Sequence, residues 1–205
     1  MRSYVARVAG SVCLCLSVAG NTATAADCGP KVEAAFERLQ TSGQPYRIET
    51  VRDRGQQGPV ELFEVVPPDR MRLKYRGKEG DDWVEFVRVG NRMWDQENEL
   101  PGGPADVFDQ LVERLGRPFG AFECLGHVRF ADKTYTGYRG YQLEFLVRPG
   151  QAQTQERAFW RTVLVDQQTG LLAYEIATSK RQLDKPTWQK HYTYSKDIMI
   201  DPPVR

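Results

Sequence analysis

Apolar and polar residues alternate through most of the stretch from Val60 to Trp94. A period of two residues is typical of a β-strand with one buried face, so this stretch predicts three or four antiparallel strands in succession. The central strand has the clearest pattern. Its apolar residues Met71, Leu73 and Tyr75 point to one face, while the other face carries four basic residues, Arg70, Arg72, Lys74 and Arg76.

Turn residues separate the strands of this stretch. Pro67-Pro68 ends one strand because proline has no N–H for the ladder, and Gly90-Asn91 suits a tight hairpin that needs positive φ. Further strands are predicted from the same alternation at Tyr46–Val51, Gly126–Phe130, Gly140–Arg148, Phe159–Val165, Leu172–Ala177 and Trp188–Tyr194. Together they make about nine strands.

Two stretches have helical spacing instead. Pro30–Leu39 places Val32, Phe36 and Leu39 on one face, and Ala105–Leu115 repeats this pattern. The strand-rich order predicts a mainly β (α+β) fold. We expect a single large curved antiparallel sheet, a half-barrel, with two or three short helices on its concave face.

A sheet of this size around so few helices predicts a hydrophobic ligand groove, because the helices cannot cover all of its concave face. Each residue in the groove could equally be ordinary core. The candidates are mostly aromatic: Leu73, Tyr75, Trp83, Trp94, Phe145, Phe159, Tyr174, Ile176, Tyr192 and Tyr194.

The first 25 residues have the pattern of a cleaved signal peptide. Arg2 and Arg7 form a basic start, Val8–Val18 is a short apolar run, and Ala23-Thr24-Ala25 is a small-residue cleavage site. The apolar run is too short for a membrane anchor, which needs about 20 residues. We expect export to the periplasm and a mature domain over 26–205.

Cleavage would leave two of the four cysteines, Cys28 and Cys124. In an oxidising compartment an isolated pair is most simply a disulfide, and the alternative is two free buried thiols. Cys124 and His127 are spaced like metal ligands, but His191 is the only other histidine, so we predict no metal site and no cofactor.

The mature chain is close to neutral. Both basic residues of the signal peptide are lost from the 28 in the chain, so 26 basic residues face 27 acidic ones, with the signs interspersed. Nucleic-acid binding would require a net basic surface, so we predict no nucleic-acid partner.

Four short segments resemble the bacterial periplasmic lipoprotein-carrier superfamily (LolA/LolB-like). Pro68–Leu73 is similar to its proline-led strand, and Gly90–Trp94 to its hairpin into an aromatic strand. Trp160–Leu172 is similar to its late hairpin, followed by a closing segment at Ile198–Pro203. The carrier places an arginine immediately before the proline of the first motif, where this chain has Pro67. We therefore assign no specific cargo.

The resemblance implies an open half-barrel that binds acyl chains. The expected partner is a hydrophobic ligand or an acylated protein, and such a carrier would make transient contact with envelope membranes or membrane proteins. The alternative is a sensor or interaction module, since a periplasmic stress regulator resembles the same half-barrel. The sequence has no common nucleophile, phosphate-loop or zinc-protease motif, so we predict no catalytic residues and no enzyme activity.

Overall fold

The computed structural model describes residues 27–52, 58–76, 80–100, 120–146 and 155–203, without the side chains of 144–146 and 155–157. The described residues form one helix and eleven strands. In chain order these are α1 (Gly29–Thr41), β1 (Tyr46–Arg52), β2 (Glu61–Val66), β3 (Arg70–Tyr75), β4 (Val84–Val89), β5 (Arg92–Asp95), β6 (Asn98–Glu99), β7 (Phe122–Phe130), β8 (Lys133–Leu146), β9 (Gln155–Asp166), β10 (Leu172–Thr178) and β11 (Pro186–Tyr194).

All eleven strands belong to one antiparallel sheet in the order β6-β5-β4-β3-β2-β1-β11-β10-β9-β8-β7. Most strands pair with their neighbours in sequence. The exception is the pairing of β1 with β11, which joins the first half of the meander to the second. Strands β6 and β7 form the two edges, so the sheet is not closed.

The sheet has a side that faces α1 and an outer side. The helix-facing side carries a buried cluster that includes Val32, Phe36 and Leu39 of α1 with Ile48, Phe63, Val163 and Tyr192 of the sheet. The outer side carries two smaller clusters. One of them packs Val87 and Trp94 against Ile200, in the segment after β11.

The predicted faces of β3 are confirmed. Met71 and Leu73 pack against the helix-facing cluster, while the basic residues of β3 form ion pairs on the outer side. Arg72 contacts Glu64 at 3.1 Å and Glu85 at 3.1 Å, and Lys74 contacts Glu85 at 3.3 Å. Strand alternation thus separates charge from apolar surface as the sequence indicates.

The predicted disulfide is present between Cys28 and Cys124, with their Cα atoms 5.5 Å apart. It attaches the start of α1 to β7. Asp27 strengthens the same junction, because its Oδ1 accepts hydrogen bonds from the backbone N–H of Gly29 at 2.9 Å and of Phe122 at 3.3 Å.

The number of helices and several strand boundaries differ from the prediction. The described residues contain only α1, whereas two or three helices were expected. The helix predicted over 105–115 and the signal peptide over 1–25 lie outside the described residues. Strand β8 begins at Lys133 rather than Gly140, because pairing with both β7 and β9 extends it through a stretch with no clear alternation.

Candidate functional site

An apolar surface lies on the helix-facing side of β3 and β4. We define the apolar wall as Met71, Leu73, Tyr75 and Phe86. Leu73 stands directly across from Phe86, and the rings of Tyr75 and Phe86 stack with their centroids 6.1 Å apart. These side chains are only partly covered, and Tyr75 is 42% exposed. A contiguous, partly exposed apolar surface of this kind is typical of a binding site.

The helix covers a different part of the same side. Its main contacts are with β7 and β10. Strand β3 lies four strand spacings from β10 in the sheet order, about 19 Å at the usual interstrand distance. Within the described residues, α1 therefore packs on one half of the sheet and the apolar wall lies on the other.

The half under α1 contains a buried charged pair. Arg161 Nε donates a hydrogen bond to Glu175 Oε2 at 2.7 Å, and the Tyr192 hydroxyl donates to Glu175 Oε1. The Arg161 guanidinium also lies 5.2 Å from the centre of the Phe36 ring of α1. Glu175 is 0% exposed.

The surroundings of Glu175 decide its ionisation. Burial alone would raise the pKa of Glu175, but the charges of Arg161 and Lys190 and the hydrogen bond from Tyr192 bring this pKa below its ordinary value. Burial and then the Glu175 carboxylate raise the pKa of Tyr192 well above its ordinary value. Glu175 is therefore an anion, and Tyr192 stays a hydrogen-bond donor.

A cavity of about 310 Å³ lies between α1 and the turn that follows β9. Lys31 and Arg38 line it from the helix, and Tyr138 and Asp166 line it from the sheet. Arg38 donates a hydrogen bond to the Gly170 carbonyl at 3.0 Å. The volume is at the lower end of those that hold small ligands.

Half of the ten predicted groove residues lie on the helix-facing side. Leu73 and Tyr75 belong to the apolar wall, and Tyr194 packs against the same buried cluster that contains Tyr192. Phe159 lies across from Gln142 in register and contacts Trp188, with the ring centres 6.0 Å apart.

Three of the other predicted residues lie on the outer side of the sheet. Trp94 packs with Val87 on the outer side, and Tyr174 and Ile176 belong to the second outer cluster. Trp83 precedes β4, with the Arg76 guanidinium 4.7 Å from its ring centre. Phe145 lies in β8, but its side chain is outside the described part of the structure.

The placement of Tyr174 and Ile176 differs from the predicted alternation of β10. Leu172 is in the helix-facing cluster, so an unbroken strand would put residues 174 and 176 there too. A register shift between Leu172 and Tyr174 moves them to the outer side. A β-bulge inserts one residue and exchanges the two faces.

Phe86 and Met71 are wall residues absent from the predicted groove set. Phe86 could have been identified from the sequence, because Val84, Phe86 and Arg88 alternate with Glu85 and Val87 in a strand that follows β3 directly. The buried Arg161–Glu175 pair had no comparable signal. The two residues are on different strands and meet only in the folded sheet.

No group of three or more histidine, cysteine or acidic side chains that could hold a metal occurs among the described residues. A search of the same residues for a helix long and apolar enough to span a membrane finds none.

The comparisons with known proteins bear on the fold. No protein-family model matches this chain, and no curated protein matches it. Among solved structures, the chain is similar to the crystal structure of LprF from Mycobacterium bovis. The TM-score is 0.50 and the identity 12%, over 88% of this chain and 100% of that chain. A similarity at this identity concerns the fold alone: the two chains share their overall architecture.

Proposed function

We propose that this protein is an exported binding or carrier protein that holds a lipid, an acyl chain or a lipidated partner against the apolar wall. One observation carries the proposal. The apolar wall is continuous with the buried core but stays partly exposed, on the side of the sheet that faces α1. The LolA-like fold and the predicted signal peptide support the same function and a periplasmic location. No catalytic role is proposed.

A neutral dye that fluoresces in apolar surroundings tests this proposal. It should bind the folded protein saturably and be displaced by fatty acid or phospholipid. Binding only after partial unfolding would contradict the proposal, because the interior would then be a filled core.

A substitution at Leu73 tests whether the apolar wall lines an open groove or a filled core. Leu73→Trp should weaken lipid binding and leave the urea midpoint nearly unchanged, because a groove has room for the indole. In a filled core the same change would destabilise the protein by about 1–3 kcal/mol. Leu143→Trp is the matched control, since Leu143 is on β8 and 53% exposed.

The alternative is a sensor or interaction module, and one observation favours it. Tyr141 and Leu143 on β8 are 52% and 53% exposed, and the ring of Tyr141 lies 5.1 Å from that of Trp160. Exposed apolar groups of this kind are frequent in protein interfaces. Native mass spectrometry of periplasmic material separates the two functions, because a carrier should retain lipid and a protein-binding module should not.

A further inference from the structure

The polarity of the helix-facing side changes along the direction of the strands. One row across the sheet, from Tyr192 through Ile48, Phe63 and Leu73 to Phe86, is made of apolar and aromatic side chains. The next row toward one end of these strands runs through Glu175, Lys190, Thr50, Glu61, Tyr75 and Val84, and its first four positions are polar. The helix-facing side of the sheet therefore becomes more polar toward this end of the strands.

The last row at this end is cationic and aromatic. Arg52 stands across from Trp188, and Lys190 Nζ lies 5.5 Å from the centre of the Trp188 ring. We define the cationic rim as Arg52, Trp188 and Lys190. Exposure rises in the same direction, from Ile48 at 1% to the exposed Arg52.

Two described carboxylates lie next to the rim: Glu175 stands across from Lys190 in register, and Glu61 lies two strands away in the same row. Glu175 accepts its hydrogen bonds from Arg161 and Tyr192, and Glu61 accepts one from the Thr50 hydroxyl at 3.2 Å. Lys190 therefore faces the buried anion, which also has the Arg161 guanidinium. The positive charges of Arg161, Lys190 and Arg52 still outnumber the negative charges of Glu175 and Glu61, so this end of the sheet carries a net positive charge. Two cations beside an indole favour an oxyanion attached to an apolar group.

We propose that the cationic rim binds the oxyanion head of an amphiphile, a carboxylate or a phosphate, whose hydrocarbon chain lies on the apolar wall. This inference rests on the proposed function and specifies its ligand class. Lys190 and Tyr75 are three strand spacings apart in one row, about 14 Å. An extended dodecyl chain covers a comparable length, so head and chain can engage both surfaces together.

Displacement of a neutral naphthylamine dye tests the proposal with three probes of equal chain length: dodecanoate, dodecyl phosphate and dodecanol. At neutral pH the wild-type protein should bind the two anionic probes about tenfold more tightly than the alcohol, the size expected of one charge-assisted contact. In the double variant Arg52→Gln/Lys190→Gln, the affinity for both anions should fall to that for dodecanol. Binding of dodecanol should not change.

The control removes one arginine and one lysine charge from the outer side, as Arg92→Gln/Lys74→Gln, and should keep the preference for anions. The alcohol provides the folding control, because a misfolded rim variant would lose dodecanol binding as well. Equal wild-type affinity for all three probes, or an unchanged preference in the rim variant, would overturn the oxyanion site while leaving the carrier function intact. Failure of every probe to displace the dye would overturn the carrier function itself.

Discussion

At the scale of single residues, the feature that most needs explanation is the charged pair beneath α1. Moving an ion from water into a protein interior costs several kcal/mol, so a buried pair persists only where its hydrogen bonds are complete. Arg161 and Tyr192 supply donors to both oxygens of Glu175, and the Phe36 ring covers the guanidinium. The pair therefore links three elements, namely β9, β10 and β11, to α1.

Glu175→Gln should destabilise the protein by about 3–5 kcal/mol, because it leaves the Arg161 guanidinium buried without its counter-charge. The double variant Arg161→Met/Glu175→Leu should lose much less, since it removes both charges together. Urea melts of both variants beside wild type measure the difference. A loss below about 1 kcal/mol in Glu175→Gln would contradict the importance of this pairing.

Asp166 makes the stability of the turn after β9 depend on pH. Its carboxylate accepts hydrogen bonds from the Lys133 ammonium, from the backbone N–H groups of Gln168 and Thr169, and from the Thr169 hydroxyl. These hydrogen bonds, that of Lys133 first, lower the pKa of Asp166 from 3.8 to about 2. A carboxyl whose pKa is lowered on folding stabilises the native state above its unfolded pKa, and this contribution disappears as the pH falls.

The wild-type urea midpoint should therefore fall between about pH 4 and pH 2 by more than that of Asp166→Asn, which cannot lose this charge. Asp184→Asn, at an exposed loop carboxylate, is the matched control and should follow wild type. Identical acid profiles for wild type and Asp166→Asn would rule out this role.

At the scale of elements, α1 is attached to the sheet at both ends. The Cys28–Cys124 disulfide and Asp27 hold its start, and Arg38 in its last turn hydrogen-bonds the Gly170 carbonyl. Gly170 has φ +67°, and a Cβ there would collide with the Arg38 guanidinium. The turn needs glycine for its conformation and for this close approach.

Removal of the disulfide should lower the free energy of unfolding by up to about 4–5 kcal/mol, because it closes a loop with a sequence separation of 96. Urea melts of Cys28→Ser/Cys124→Ser measure this loss. Reduced wild-type protein should unfold at the same midpoint as the variant. A variant as stable as the oxidised protein would show that the bond adds nothing to stability.

At the scale of the whole molecule, the pairing of β1 with β11 determines the architecture. These strands are far apart in sequence, yet their seven-residue register from Tyr46↔Tyr194 to Arg52↔Trp188 places the first meander beside the second. The apolar row and the cationic rim both cross this junction. The cationic rim therefore exists only when both halves of the sheet are assembled.

The predicted export can be tested on the whole protein. Material purified from a periplasm should begin at Ala26 or Asp27, and its intact mass without reductant should be two hydrogens below the reduced mass. An unprocessed start at Met1, or free thiols on both Cys28 and Cys124, would contradict the exported, oxidised form.

Local pattern alone was sufficient for much of this fold. The alternation around Leu73 predicted both faces of β3, because side chains in an extended strand must point to opposite sides. The spacing of Val32, Phe36 and Leu39 predicted α1. The isolated cysteine pair, together with the expected oxidising compartment, predicted the disulfide. Each of these depends on neighbouring residues or on the chemistry of the chain.

The tertiary structure determined the contacts between residues on different strands. The bulge that turns Tyr174 and Ile176 outward, and the register that puts Trp94 opposite Val87, depend on pairing partners that a single strand does not reveal. The same holds for the meeting of Arg161 with Glu175 and of Arg52 with Trp188. The sequence therefore determined which residues share a face within a strand. Only the assembled sheet determined which faces form a site, because register is a property of two strands together.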